Sequence, residues 1–357
     1  MKILVIQQKM IGDVLASTLI CEHLKRELQN AKVHFLINEN ATAVVEGNPF
    51  VDKTVIFKNE YRKSKIEFYR FLKSIRNAKY DVVIDVLCKL ESNLIALFSG
   101  AKTKISYKKW YSRFVYDHVF EYSQNEGKRV GLAIENRLLL LSPLIKKLQN
   151  PLLEPKVYLS KDEIEAAREL LMNSGIPDDR PKIMVGVLGS GPTKTYPLPY
   201  LAKLLDDISA KCSVAFFLNY LPSQKEAVDE LLQLCNEKTR ESIHGEVFCL
   251  SLRSFLALLS QCDAYFGNEG GVTNMSKALG LPNFSIFSPW ISKKGWFTYP
   301  EKSSNEAVHL SDFEPKILDI PKKERKQNVQ QYYKRFTPEL CKPLLLDFIE
   351  REVIADQ

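Results

Sequence analysis

The sequence predicts an α/β protein with two domains, each built on a parallel sheet. Short apolar runs, typical of buried parallel strands, alternate with helical stretches from the first residues onward. The same alternation starts again in the second half, and 357 residues are enough for two hydrophobic cores. We therefore expect 1–155 to form an N-terminal domain and 156–357 to form a C-terminal domain.

The first half opens with a strand, a loop and a helix. Its predicted strands are 2–6, 33–37, 53–57, 81–86 and 103–107, and its predicted helices are 13–29, 65–77 and 129–148. The aromatic and basic stretch 108–127 lacks clean periodicity and is expected to be irregular. Two prolines and weak periodicity favour a linker over 150–159.

The second half repeats the pattern. Its predicted strands are 182–187, 213–218, 247–250 and 264–267, and its predicted helices are 161–174, 200–211, 223–235, 252–262, 272–279 and 338–353. The last helix is assigned to the second domain, and packing back on the first remains an alternative. Ligands of such sheets bind beyond the carboxyl ends of the strands, so we expect a site in a cleft between the domains.

Composition narrows the class of protein. The chain is 45% hydrophobic and 26% charged, with a formal net charge of +7, which suits acidic ligands or an anionic membrane surface but is too dispersed to predict nucleic-acid binding. It has no long apolar run and no signal-peptide pattern, so we expect a cytoplasmic protein. Its seven scattered cysteines and five histidines suggest neither disulfides nor a metal site.

The stretch 264–290 predicts a strand, a glycine-rich turn, a short helix and another strand. A helix that begins after Gly270 and Gly271 presents free N–H groups and its positive dipole end, an environment that suits a pyrophosphate. The alternative is a tight turn with no ligand. Glu269 in this turn fits as an acceptor for hydroxyls of a ribose or sugar, or else it is a solvated turn residue.

Two further loops follow predicted strands. Gly12 permits a tight turn before Asp13, which fits either as a functional carboxylate or as a helix N-cap worth about 1 kcal/mol. In 189–196, GSGPTKTY, small residues allow close backbone approach, and Lys194 adds a flexible charge suited to phosphate. The sequence shows no Walker loop and no Gly-x-Gly-x-x-Gly, which argues against a nicotinamide dehydrogenase.

Together, these loops resemble those of the ADP-heptose:lipopolysaccharide heptosyltransferases, glycosyltransferase family 9. The resemblance is carried by KILVIQQKMIGDVLASTLICEHLK, DVVIDVLCKLESNLIALFSGAKTKISY, GSGPTKTYPLPYLAKLL and LSLRSFLALLSQCDAYFGNEGGVTNMSKALGLPNFSIFSPW, in this order. It implies the GT-B fold, two Rossmann-like domains whose parallel sheets face an interdomain cleft. It also implies an inverting single-displacement transfer with no cofactor and no obligatory metal.

The resemblance assigns roles by position. Asp13 would be the catalytic base, with Gly12 and Lys89 in acceptor-side loops. The donor would be bound by Ser190, Lys194, Glu269, Gly270, Gly271, Thr273 and Asn274, with Lys194 on the pyrophosphate and Gly271 at the helix start. The chain departs from the family pattern where Glu269 and Gly270 replace Asp and Ser or Thr, where Asn274 replaces a His, and where Glu91 replaces an Arg.

The expected function is transfer of a sugar, heptose from ADP-heptose on this resemblance, to a lipopolysaccharide core or lipid-linked glycan. The alternatives are a transferase of the same fold with another donor or acceptor, a nucleotide-sugar epimerase, and a nucleotide-sugar-binding protein without catalysis. Peripheral contact with the inner membrane is a further expectation. The basic and aromatic stretch 322–336 is a candidate lipid contact, against the alternative of a solvated surface segment.

Overall fold

The structure is a computed structural model that describes residues 1–123, 131–148, 154–297 and 304–355. The chain divides into a first unit, Met1–Tyr158 with Lys294–Tyr299, and a second unit, Leu159–Lys293 with Pro300–Gln357. The predicted linker lies partly outside the described residues, and its described part, 154–159, forms neither helix nor strand.

The first unit contains a six-stranded sheet in which every pair of neighbours is parallel, with strand order β3-β2-β1-β4-β5-β6. Its strands are β1 (Lys2–Ile6), β2 (Lys32–Asn38), β3 (Lys53–Phe57), β4 (Val82–Asp85), β5 (Thr103–Tyr107) and β6 (His118–Phe120). β1 and β4 pair at its centre and are almost wholly buried. Their sequences are continuous apolar runs because helices cover both faces of such a sheet.

The helices of the first unit are α1 (Ile11–Glu27), α2 (Glu60–Lys63), α3 (Lys65–Asn77), α4 (Leu90–Ser99) and α5 (Leu132–Leu139). Two predictions for this unit are wrong. The stretch expected to be irregular contributes β6, which adds to the sheet edge beside β5. The long helix predicted over 129–148 is only α5 followed by turns in its described part, and 129–130 lie outside the described residues.

The second unit contains a five-stranded parallel sheet with strand order β11-β10-β9-β7-β8. Its strands are β7 (Lys182–Gly186), β8 (Ala215–Asn219), β9 (Ala264–Asn268), β10 (Asn283–Ile286) and β11 (Asn305–Val308). The strand predicted over 247–250 does not form: Val247 is buried, but Leu250 is 93% exposed. Beside β8 the chain makes a single bridge from Ile243 to Phe216.

From 159 onward the helices are α6 (Lys161–Asn173), α7 (Leu198–Lys211), α8 (Lys225–Leu234), α9 (Glu237–Glu241), α10 (Leu252–Leu259), α11 (Gly271–Ala278), α12 (Lys293–Trp296), α13 (Lys322–Gln327), α14 (Val329–Arg335) and α15 (Pro338–Ile349). α15 packs on α7, and its Phe348 ring lies 5.7 Å from the ring of Phe284 on β10. These contacts place α15 in the core of the second unit.

The aromatic residues of 322–336 face inward. Val329, Tyr332, Tyr333 and Phe336 are buried in the same core as α15. The apolar side of this segment is therefore used for packing within the protein, and its aromatic residues are not exposed to a lipid surface. Within the described ranges, no helix is both long and apolar enough to cross a membrane.

Candidate active site

In the second unit, the two predicted donor loops leave neighbouring strands at the same edge of the sheet, because Gly186 on β7 is in register with Gly267 on β9. The buried Asn268 side chain joins them. Its Nδ2 donates to the carbonyls of Gly186 (3.0 Å) and Val187 (2.8 Å), and its Oδ1 accepts from the backbone N–H of Tyr196 (2.6 Å). One amide thus fixes the spacing of both loops.

Glycine is required where the two strands approach most closely. Gly267 has φ +145°, and a Cβ there would lie 2.4 Å from the carbonyl oxygen of Gly186. Gly270 has extended backbone, and a Cβ on it would meet no atom within 4 Å. Gly270 therefore leaves open space at the start of α11.

α11 begins at Gly271, as the turn pattern predicts, and its first turn is braced from inside the unit. Thr273 Oγ1 accepts from the N–H of Gly270 (3.2 Å) and from Ser285 Oγ (3.2 Å). Asn274 Nδ2 donates to the Gly270 carbonyl (3.2 Å). Thr273 and Asn274 thus shape the turn, while the first N–H groups of a helix have no partner within it.

Glu269 is buried rather than solvated, so the alternative of a surface turn residue is wrong. Its Oε2 has no hydrogen-bond partner in the described part of the chain and lies 3.7 Å from Lys194 Nζ, too far for a hydrogen bond but close enough for an ion pair. Burial raises the pKa of Glu269, and the charges of Lys194 and Lys277 oppose this rise.

Lys277 on α11 is a buried lysine that sequence reasoning missed. Burial lowers its pKa from 10.5 to about 7, and the charge of Glu269 partly opposes that change. Two lysines thus act on one buried carboxylate. The sequence signal that could have identified Lys277 is its position on the side of the amphipathic helix α11 that faces the core.

The loop that carries Lys194 is held by residues that follow β10. The Thr193 carbonyl accepts from Ser288 Oγ (2.7 Å) and from Trp290 Nε1 (2.8 Å), and Lys194 Nζ lies 5.8 Å from the centroid of the Trp290 ring. Ser190 is exposed in the same loop. The Trp290 ring also faces two further lysines, Lys322 and Lys326.

In the first unit, Asp13 is the third residue of α1, and the N-cap position belongs to Met10, which makes no side-chain cap bond. The N-cap alternative for Asp13 is therefore wrong. Its Oδ1 accepts from Arg137 Nη2 at 2.5 Å, and the described residues give no hydrogen bond to Oδ2. Gly12 precedes it in the first turn of α1.

Arg137 on α5 is the second functional candidate that sequence reasoning missed. Its guanidinium also donates to Ser17 Oγ (2.9 Å) and to the Ala133 carbonyl (2.6 Å). The Arg137 side chain is 5% exposed, compared with 21% for Asp13. The arginine therefore holds the carboxylate from beneath and leaves it partly accessible.

The loop after β4 leaves the same sheet edge, because Asp85 is in register with Ile6 at the end of β1. Asp85 is fully buried and accepts from the N–H groups of Leu87 and Cys88 and from Tyr116 Oη (2.5 Å). Burial raises the Asp85 pKa, and these hydrogen bonds oppose the rise. Lys89 follows as the exposed N-cap residue of α4.

Glu91, one of the departures from the family pattern, forms an ion pair with Arg62 at 3.0 Å. Among the described residues, no group of three or more His, Cys, Asp or Glu side chains could hold a metal ion.

The sequence matches the model of glycosyltransferase family 9 (heptosyltransferase) over residues 68–327, well over half of the chain. The chain belongs to glycosyltransferase family 9. The lipopolysaccharide heptosyltransferase 1 of Campylobacter coli is 23% identical to this family 9 enzyme over 309 residues, covering 83% of this chain and 86% of the relative. The predicted family and enzyme class, a glycosyltransferase, are confirmed.

Two solved structures share the fold of this glycosyltransferase. A family 9 glycosyltransferase from Veillonella parvula has a TM-score of 0.74 at 17% identity, covering 94% of this chain and 97% of that one. The ADP-heptose lps heptosyltransferase II of E. coli has a TM-score of 0.69 at 19% identity, covering 94% and 99%. The predicted GT-B fold with two parallel sheets is confirmed.

Proposed function

We propose that this glycosyltransferase moves a heptose from ADP-heptose to a lipopolysaccharide core acceptor at the cytoplasmic face of the membrane. Similarity to a lipopolysaccharide heptosyltransferase and to an ADP-heptose lps heptosyltransferase supports this donor and acceptor. The observation that carries the proposal is the pairing of Lys194 with the buried Glu269 immediately before the start of α11.

The donor pyrophosphate binds between the start of α11 and Lys194. The helix offers N–H groups and its positive dipole end, and Gly270 leaves the space in front of it open. Lys194 contributes a positive charge on a side chain that is 26% exposed. As the bond to the sugar breaks, negative charge grows on the leaving diphosphate, and these groups stabilise it.

Glu269 accepts hydrogen bonds from hydroxyl groups of the donor. Its Oε2 is buried and has no hydrogen-bond partner among the residues that the structure describes, and an unsatisfied buried carboxylate oxygen is costly unless a ligand supplies a donor. A hydroxyl on the ribose or the heptose is such a donor. The residue thus distinguishes an intact nucleotide-sugar from inorganic pyrophosphate.

Asp13 acts as the general base of a single displacement. The acceptor hydroxyl oxygen attacks the anomeric carbon from the side opposite the diphosphate, and its proton passes to Asp13 Oδ2. The new C–O bond forms as the bond to the phosphate oxygen breaks, and that electron pair leaves with ADP. Arg137 holds Oδ1, which fixes the direction in which Oδ2 points.

The test is a binding and transfer screen with the purified protein. We expect ADP-heptose to bind more tightly than GDP-, UDP- or CMP-sugars, and to give a glycosylated product with heptose-deficient lipopolysaccharide. Transfer from a different nucleotide-sugar would replace the donor assignment. Binding of ADP-heptose without transfer to any lipopolysaccharide core would favour the alternative of a binding protein without catalysis.

A further inference from the structure

The turn 108–116 of the first unit, here called the aromatic turn, projects large apolar side chains into solvent. Trp110 is 86% exposed and Phe114 is 79% exposed. Aromatic side chains of this size are normally at least half buried in a soluble protein, so their exposure in one short turn marks an interaction surface.

The exposure is built into the fold. Ser112, at the centre of the aromatic turn, is fully buried, and its Oγ accepts from the Lys109 N–H (3.0 Å) and donates to the Tyr107 carbonyl (3.2 Å). Tyr116 closes the turn with its hydrogen bond to Asp85. The backbone is therefore fixed from beneath while Trp110 and Phe114 point outward.

A second exposed apolar residue lies next to this turn. Lys109 Nζ and Tyr111 Oη both donate to the Cys88 carbonyl, which places the aromatic turn against the start of α4. The next two residues along the chain, Lys89 and Leu90, are exposed, and Leu90 is 73% exposed. The start of α4, next to the aromatic turn, thus adds a further exposed apolar side chain.

The aromatic turn itself carries only positive charge, and Glu91 at the start of α4 is paired with Arg62. The aromatic turn contains Lys108, Lys109 and Arg113 and no acidic residue. The Arg113 guanidinium lies 4.7 Å from the centroid of the Phe114 ring, and Lys89 adds a further positive charge. Glu121 offsets only Lys108, at 2.6 Å.

We propose that the aromatic turn and the start of α4 dock the protein on an anionic lipid bilayer. Trp and Phe enter the interfacial region of a bilayer, and neighbouring Lys and Arg bind headgroup phosphates, so this composition fits an anionic lipid surface better than a protein surface. This docking requires neither the proposed donor nor the proposed acceptor. It places the lipid contact in the first unit and not in 322–336, whose aromatic residues are buried.

The test measures binding of the full chain to vesicles free of lipopolysaccharide. Wild-type protein should co-sediment with vesicles of phosphatidylethanolamine and phosphatidylglycerol, bind phosphatidylcholine vesicles weakly, and be released by salt. The double variant Trp110→Ser, Phe114→Ser should have an affinity for these vesicles that is lower by about tenfold or more, because two interfacial aromatic side chains are lost. Arg113→Gln should lose part of the preference for phosphatidylglycerol.

Leu250→Ser is the matched control, since Leu250 is 93% exposed in the second unit, and it should bind like wild type. Circular dichroism and ADP affinity should be unchanged in the double variant, which separates this proposal from that on donor binding. Trp110→Phe should keep vesicle binding while losing fluorescence quenching by brominated lipids. Equal binding of the two vesicle types, or unchanged binding of the double variant, would overturn the proposal.

Discussion

Each unit contains a pair of opposite charges with a buried and a more accessible member, and the signs are reversed between the two units. In the second unit the buried carboxylate of Glu269 is paired with the more accessible cation of Lys194, and their side chains are 9% and 26% exposed. In the first unit the buried cation of Arg137 is paired with the more accessible carboxylate of Asp13, and their side chains are 5% and 21% exposed. The accessible members, Asp13 and Lys194, are proposed to take the acceptor proton and to bind the diphosphate, respectively. The buried Glu269 is proposed to bind donor hydroxyls, and the buried Arg137 to hold Asp13.

The pairs differ in how firmly they are held. Arg137 contacts Asp13 at 2.5 Å and is fixed by further hydrogen bonds, whereas Lys194 lies 3.7 Å from Glu269. A base must be directed at one proton, so a fixed carboxylate suits that role. A lysine that follows a diphosphate from bound donor to product needs freedom, and a long ion pair provides it.

The largest effect is expected for Asp13, the accessible carboxylate of the first unit. Asp13→Asn keeps the size of the side chain but removes the proton acceptor, so turnover should fall by roughly 10² to 10⁴-fold. ADP affinity should be unchanged, since Asp13 is not proposed to contact the donor. Thermal stability should fall as well, because Arg137 loses its charged partner. Near-normal turnover would remove Asp13 from the mechanism.

The next largest effect is expected for Lys194, the accessible cation of the second unit. Lys194→Ala removes a charge-assisted contact worth on the order of 1.5 to 3 kcal/mol, so ADP should bind about 10- to 150-fold more weakly. Calorimetric titration measures this directly. Lys326→Ala is the matched control, because Lys326 faces the same Trp290 ring at 4.9 Å and should matter little. Equal losses in both variants would show that general charge, and not Lys194 itself, binds the phosphates.

A smaller effect is expected for Glu269, the buried carboxylate of the second unit. Glu269→Gln keeps the shape but turns a charged acceptor into a neutral one, so affinity for ADP-heptose should fall by about tenfold. Affinity for inorganic pyrophosphate should stay the same or rise, because a nearby negative charge is removed. Glu246→Gln, an exposed glutamate of the same unit, is the control. An unchanged affinity for every nucleotide-sugar would leave Glu269 as the partner of Lys194 alone.

The smallest effect concerns Lys277 and pH. Its pKa is lowered to about 7 in the folded state, so the unfolded chain binds more protons between pH 7 and the ordinary lysine pKa of 10.5. The stability that it contributes therefore rises with pH across that window. Between pH 7 and 8, wild type should gain free energy of unfolding relative to Lys277→Met, by at most about 1.4 kcal/mol.

Urea unfolding at the two pH values measures this difference. The exposed Lys238 provides a control, and Lys238→Met should show no change with pH relative to wild type. A wild-type advantage that stays constant or shrinks as pH rises would contradict a lowered Lys277 pKa.

Much of the fold follows from local pattern. β1, β3, β5 and α3 have the predicted bounds, because continuous apolar runs and a clear helical period leave one interpretation. The predicted strand over 247–250 failed because a short apolar run does not reveal which sheet edge is available; the sheet grows instead through β11. Whether a short apolar run forms a strand depends on how the rest of the unit buries it.

The positions of Asp13 and Lys194, each within eight residues of the end of a strand, could be predicted from the apolar runs that precede them. The residues that contact and support them could not be predicted. Arg137 meets Asp13 from 124 residues away, and Asn268 meets Tyr196 from 72 residues away. No periodicity records such a pairing, and a buried Arg or Asn in sequence is indistinguishable from an exposed one.

The central proposal for this enzyme is a single displacement in which Asp13 takes the proton of the acceptor. The most direct measurement is the anomeric configuration of the heptose in the product, determined by nuclear magnetic resonance after wild-type enzyme acts on ADP-heptose and heptose-deficient lipopolysaccharide. We expect the configuration opposite to that of the donor, because the acceptor attacks from the side opposite ADP. A product that retains the configuration of the donor would contradict this proposal.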